Sequence, residues 1–120
     1  MDWRVEFAEV FDNNGGFDVA IANPPYVSAI EFRRSHGDDD RQALNVLYQT
    51  AKGAYDLYVV FFERAIQLLH PKGFLSFITP NKYLAAPYAI ALRSFLRSTC
   101  SLRVVVDLSR VPVFADTQVY

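Results

Sequence analysis

Phe17-Asp18-Val19-Ala20-Ile21-Ala22-Asn23-Pro24-Pro25-Tyr26 is an apolar run that ends on two prolines. The run itself, residues 17–22, reads as a buried parallel strand. Neither proline has an N–H to give to a ladder, and each pushes the residue before it out of helical geometry. The strand must stop at Asn23, and the following residues form a stiff, extended lip at its carboxyl end. In open α/β sheets that end is where ligands bind. The lip carries the Asn23 side-chain oxygen and the Pro24 carbonyl as acceptors, with Pro25 and the Tyr26 ring beside them. Such a set suits a flat molecule bearing an amino group.

Outward from the lip, residues 3–11 alternate loosely (Trp3, Val5, Phe7) and read as a short strand or an irregular lead-in, before the turn cluster Asn13-Asn14-Gly15-Gly16. Residues 27–54 show no sustained period and read as a long loop with one or two helical turns near 42–49; loops of this length are functional or mobile. A helix is predicted over 56–69, with Asp56 as its N-cap and His70-Pro71-Lys72-Gly73 as its stop. A second strand follows at 74–79, ended by Pro80. Next come a helix over 87–97, with Pro87 in its first turn, a third strand at 102–108, and a fourth strand beginning at 117–120. Strands alternating with helices at this spacing predict an α/β fold: a partial doubly wound, Rossmann-like sheet, mostly parallel with a final antiparallel strand.

At 120 residues the chain is one domain's worth, and 52% hydrophobic with 15% aromatic content excludes a disordered segment. The net charge of −1 gives no overall nucleic-acid signature. Cys100 is the single cysteine, so there is no intramolecular disulfide; it is expected at a buried helix end. His36 and His70 lack companions at metal-ligand spacing, and Asp38-Asp39-Asp40 reads as a solvated loop, so no metal is expected. No apolar stretch has membrane-span length and no signal peptide opens the chain, which predicts a cytoplasmic protein with no membrane partner.

The segment Phe17 to Tyr26 resembles the catalytic motif of S-adenosylmethionine-dependent methyltransferases acting on exocyclic amino nitrogens. The resemblance is closest to the N6-adenine DNA methyltransferases of restriction–modification systems, especially long polypeptides that combine modification with cleavage. Asp56-Leu57-Tyr58, the stretch GFLSFITPNKYL at 73–84, Leu92-Arg93-Ser94-Phe95-Leu96 and Val113-Phe114-Ala115-Asp116 follow in that family's order. RNA and glutamine methyltransferases share the tetrapeptide, so their fragments are the alternative, as is a non-catalytic truncated module.

The resemblance implies S-adenosylmethionine as methyl donor and double-stranded DNA as partner of the full-length enzyme. It also implies that residues 1–120 are the C-terminal, catalytic half of a methyltransferase domain. The cofactor half needs a Gly-rich turn after its first strand, and Gly15-Gly16 precedes a strand instead. The first strand would then have an open edge, so the chain alone is expected to self-associate and to be inactive.

Adenine N6 is a poor nucleophile because its lone pair is delocalised into the ring. Accepting both amino hydrogens, on Asn23 Oδ1 and the Pro24 carbonyl, would localise that pair. The base must leave the duplex to be reached. Tyr26 would then stack on one face and Tyr88 on the other, with Tyr83 as the fallback for Tyr88. Tyr26 and Tyr88 could instead be core aromatics, and Asn23 a turn cap. Asn81 and Lys82, after the second strand, face the same crevice and either contact DNA, order the loop or are simply solvated. On this reading Tyr26→Phe is expected to be mild.

Overall fold

A computed structural model describes residues 1–114. Its centre is a parallel pair of strands, β1 (Phe17–Ala22) and β2 (Leu69–Phe77). Val19 pairs with Phe74, Ala20 with Leu75, Ile21 with Ser76 and Ala22 with Phe77. The Ile78 N–H then donates to the Ala22 carbonyl at 3.1 Å, so the two strands run together as far as the lip. Phe17 pairs with Leu69, which leaves residues 70–73 as a bulge opposite Asp18. That bulge is how β2 accommodates Pro71, which the sequence suggested would lie outside any strand. Gly16 makes the start of β1 possible. A Cβ there would stand 2.7 Å from backbone atoms of Leu68, Leu69 and His70, and its φ is +148°.

The α5 helix (Tyr58–Leu68) covers one face of the sheet, with the Phe62 ring 4.9 Å from that of Phe77. Around it lie the buried side chains of Ala29, Ala51, Tyr55, Tyr58, Val59 and Leu92. Leu92 comes from α6 (Ile90–Thr99), which a 3-10 turn at Pro87–Ala89 precedes. Paired residues of a parallel ladder share a face, so Val19, Phe74 and Ile21 lie on the side away from α5. Only the start of that side is covered. Trp3, Phe7 and Phe11 surround the Phe17 ring at centroid distances of 6.1, 5.4 and 5.5 Å.

Trp3 lies in α1 (Trp3–Glu6), Phe11 in α2 (Ala8–Asn14) and Phe7 at the junction between them, so the amino-terminal segment is helical and the strand or irregular lead-in is corrected. The i, i+4 spacing of Trp3, Phe7 and Phe11 outweighs the looser alternation, and Asp2 caps the first turn by accepting from the Arg4 N–H. Residues 27–54 are also more ordered than a loop. They hold α3 (Ala29–His36) and α4 (Asp38–Leu47), joined at Gly37 with φ +97°. Ser28 and Glu31 form a capping box at the start of α3. Asp38, Asp39 and Asp40 are the first turn of α4, where negative charge suits the helix dipole; they are exposed but helical.

Three further expectations change. The helix predicted from Asp56 starts at Tyr58, because residues 55–57 are engaged in backbone pairing described below. Cys100 ends α6 as expected but is exposed. Residues 102–108 form no strand and pair with neither β1 nor β2; Leu102, Val104, Val105 and Val106 are exposed. The final antiparallel strand at 117–120 lies outside the described residues. Among the described residues no helix is long and apolar enough to cross a membrane.

Candidate active site

β1 ends by presenting Asn23, whose side chain is exposed, and Pro24 is buried immediately behind it. Pro25 is exposed and Tyr26 half-buried. The Tyr26 hydroxyl turns back to donate to Asn23 Oδ1 at 2.5 Å, and it lies 3.3 Å from the carbonyl oxygen of Ile78. The carboxyl ends of both strands therefore meet at one phenol. Burial raises the pKa of this hydroxyl above the ordinary tyrosine value, which keeps it a donor at neutral pH. Among the described residues no aromatic ring pairs with that of Tyr26.

After the lip the chain is fastened to the entry of α5. The Leu57 N–H donates to the Val27 carbonyl at 2.7 Å, and the Ala29 N–H to the Tyr55 carbonyl at 2.8 Å. This antiparallel bridge sets Asp56 opposite Ser28. Asp56 does not cap α5 with its side chain. It accepts from the Tyr88 hydroxyl at 3.0 Å, which stands 2.7 Å from the Tyr58 hydroxyl. Burial is the main cause that raises the pKa of both tyrosines, and the carboxylate of Asp56 adds to it.

The structure thus brings Asn23, Pro24 and Tyr26 together and ties Tyr88 to Asp56, one bridge away from them. Tyr88 is half-buried against the core and touches Tyr26 through no hydrogen bond or ring contact among the described residues. Tyr83, the fallback, packs edge-on to Tyr58 and tilted against Phe62. Asn81 and Lys82 are exposed in a 3-10 turn (Asn81–Leu84) just beyond the end of β2, so they sit at the same end of the sheet as Asn23. Arg93, reaching back from α6, holds that turn by donating to the carbonyls of Tyr83 at 2.8 Å and Ala86 at 2.9 Å.

Sequence reasoning passed over Arg93 and also Glu63. Glu63 is 2% exposed and accepts from the Thr50 hydroxyl at 2.6 Å and N–H at 2.9 Å. The Gln49 N–H and Gln67 Nε2 donate to its other oxygen at 3.2 and 3.3 Å. Its only signal was one carboxylate among the apolar residues Tyr58 to Phe62. His70 Nε2 lies 3.0 Å from Asp18, and no group of three ligating side chains is placed to hold a metal ion among the described residues.

A nucleotide-type cofactor is gripped by a Gly-rich turn that follows a strand. β1 is followed by Asn23-Pro24-Pro25, and Gly16 ahead of it is taken up by close approach to the β2 backbone. The described residues do not fit that half of a cofactor site. What they offer at the strand end is two carbonyl oxygens and a phenol.

The family model described as Eco57I restriction-modification methylase matches residues 1–114. The chain belongs to the Eco57I restriction-modification methylase family. It is similar to the Escherichia coli type II restriction enzyme and methyltransferase RM.Eco57I, 30% identical over 107 residues, 89% of this chain and 11% of that protein. The type II methyltransferase M.BanIII of Aneurinibacillus aneurinilyticus is 36% identical over 98 residues, 82% of this chain and 16% of its own length. M.PaeR7I of Pseudomonas aeruginosa, also a type II methyltransferase, is 31% identical over 100 residues, 83% and 17% of the two chains. The chain therefore spans less than a fifth of the length of these curated relatives.

Proposed function

We propose that this chain forms the target-base side of a DNA methyltransferase that modifies adenine at N6, within a restriction–modification enzyme of the cytoplasm. The observation that carries the reading is the exposed Asn23 amide held by Tyr26 where β1 and β2 end together. Asn23 Oδ1 and the Pro24 carbonyl accept the two amino hydrogens of a base turned out of double-stranded DNA. Acceptors fixed in advance favour the form in which the nitrogen lone pair is localised, and they meet growing positive charge on that nitrogen. Pro25 stiffens the lip. S-adenosylmethionine is the proposed methyl donor, gripped by parts of the enzyme other than these elements.

The Tyr26 ring stacks on the flipped base, an interaction of about 1–3 kcal/mol. Tyr88 is the proposed second wall. Its hydroxyl is anchored on Asp56, whose backbone is bridged to Ser28 two residues beyond Tyr26. Asn81 and Lys82 are proposed to meet the DNA strand at the rim.

The test is Asn23→Ala in a polypeptide that carries this sequence together with a cofactor half. Methyl transfer to DNA is expected to fall about 100-fold or more, the scale of a lost transition-state contact. DNA affinity should stay within about twofold, because phosphate contacts dominate it. Near-normal turnover by the variant, or transfer by the parent enzyme to RNA or glutamine instead of DNA, would overturn the reading.

A further inference from the structure

We infer that the Tyr26 hydroxyl is a positioning group for methyl transfer: by donating to Asn23 Oδ1, it sets which end of that amide faces the target amino group. This rests on the reading of Asn23 as the acceptor and goes beyond it by giving Tyr26 a second role besides stacking.

An asparagine side chain presents an oxygen on one side and an NH2 group on the other, and its outer torsion is soft. Only the oxygen can receive an amino hydrogen. Turned over, the same amide would set its own two N–H donors against the donors of the base, and the site would repel its substrate. Something must therefore choose the orientation.

Among the described residues, the Tyr26 hydroxyl is the partner that the Asn23 side chain has. That hydroxyl carries one proton and faces two acceptors, Asn23 Oδ1 at 2.5 Å and the Ile78 carbonyl at 3.3 Å. Donation to Ile78 would leave an oxygen lone pair facing Asn23 and would favour the turned-over amide. The shorter contact assigns the proton to Asn23 Oδ1, which is the productive arrangement. A carbonyl oxygen has two lone pairs, so one remains for the base. The ring and the hydroxyl belong to one rigid side chain. A base stacked on the ring is thereby placed at a fixed offset from the oxygen that must receive its amino hydrogen.

Tyr26→Phe keeps the ring and deletes the donor, so in place of the mild effect expected from the sequence, where the ring alone was counted, the contact to Asn23 gives the hydroxyl a cost of its own. In the polypeptide that carries this chain and methylates DNA, kcat is expected to fall about 10- to 100-fold, the cost of a misplaced catalytic group. KM for DNA and the fluorescence of 2-aminopurine at the target position, which reports the flipped base, should change less than about twofold, since stacking is kept. The double variant Asn23→Ala/Tyr26→Phe should be no slower than Asn23→Ala alone, because both remove one unit.

Three outcomes would overturn the inference. If Tyr26→Phe turns over within about twofold of the parent while Asn23→Ala is inactive, the hydroxyl has no positioning role and the acceptor reading survives. If Asn23→Ala itself is active, that reading falls and the inference with it. If the Tyr26→Phe loss follows a drop in thermal midpoint and vanishes on cooling, the hydroxyl only holds the lip to β2.

Discussion

Glu63 shows how much one side chain can hold in this protein. Its carboxylate gathers four donors, three of them from Gln49 and Thr50, and so fastens the segment after α4 to the middle of α5. Removing it strands the buried Thr50 N–H and hydroxyl, each worth about 1–3 kcal/mol when left unpaired. Glu63→Ala is therefore expected to lower unfolding stability by about 2–6 kcal/mol. Glu63→Gln, which sets a donor where an acceptor was, should lower it by about 1–3 kcal/mol. Urea midpoints of the two variants check the order; an unchanged midpoint for Glu63→Ala would refute the clamp. None of this was legible beforehand. In the sequence nothing local beyond its apolar neighbours marks Glu63, because three of its four donors come from residues 13 and 14 positions upstream, and two of those are backbone N–H groups. Asn23 and Tyr26 were legible, since adjacent prolines constrain the chain locally and leave few other arrangements. The hydroxyl contact between them was not, because it depends on where β2 ends.

At the scale of elements, α5 and the 3-10 turn that precedes α6 are linked by the Tyr58–Tyr88 hydroxyl pair beside Asp56. Burial holds the protons of Tyr58, Tyr88 and Tyr55 more tightly in the folded chain than the ordinary value of 10.0, and for Tyr55 the charge of Arg41 offsets part of the effect. Groups with raised folded pKa values stabilise fully below their unfolded pKa. That contribution is lost as pH rises past 10.0 toward the folded values, since only the unfolded state releases those protons readily. Stability is thus expected to decline steeply above pH 10.0. Denaturant midpoints between neutral and alkaline pH should show it, and Tyr58→Phe should flatten the decline; a flat profile for the parent chain would refute the buried network. In residues 27–54, α3 escaped the sequence reading and α4 was read only as one or two turns near 42–49, for a local reason. Their apolar stripes are thin, with most residues exposed, although Ser28 and Glu31 at capping-box spacing were a usable signal. β1, β2 and α5 were read because long apolar runs bounded by Pro and Gly leave little choice of element.

For the molecule as a whole, the described residues dress one side of the sheet and no more than the start of the other. Val19 is 52% exposed, Ile21 78% and Phe74 60%, all on the face away from α5, and the apolar Leu102, Val104, Val105 and Val106 lie open as well. A doubly wound sheet is stable when both faces are covered. The chain by itself is therefore expected to associate with concentration, and sedimentation velocity over a wide concentration range would reveal it. Ile21→Lys should suppress the association without lowering the unfolding midpoint, because the side chain is exposed in the monomer. A parent chain that stays monomeric at every concentration would refute the sticky face. The third strand illustrates the limit of reading architecture from propensity: LRVVVDL has every local mark of a strand, yet it pairs with neither open edge of the sheet, and propensity alone does not decide pairing.

The long connection between the two strands has a consequence during synthesis. Phe17 and its partner Leu69 stand as far apart in sequence as Tyr26 and Ile78, 52 residues. At about 5–20 residues per second, β1 leaves the ribosome roughly 3–10 s before β2 exists to pair with it. For that interval a naked apolar strand is presented to the cell, which makes β1 a natural landing place for nascent-chain chaperones.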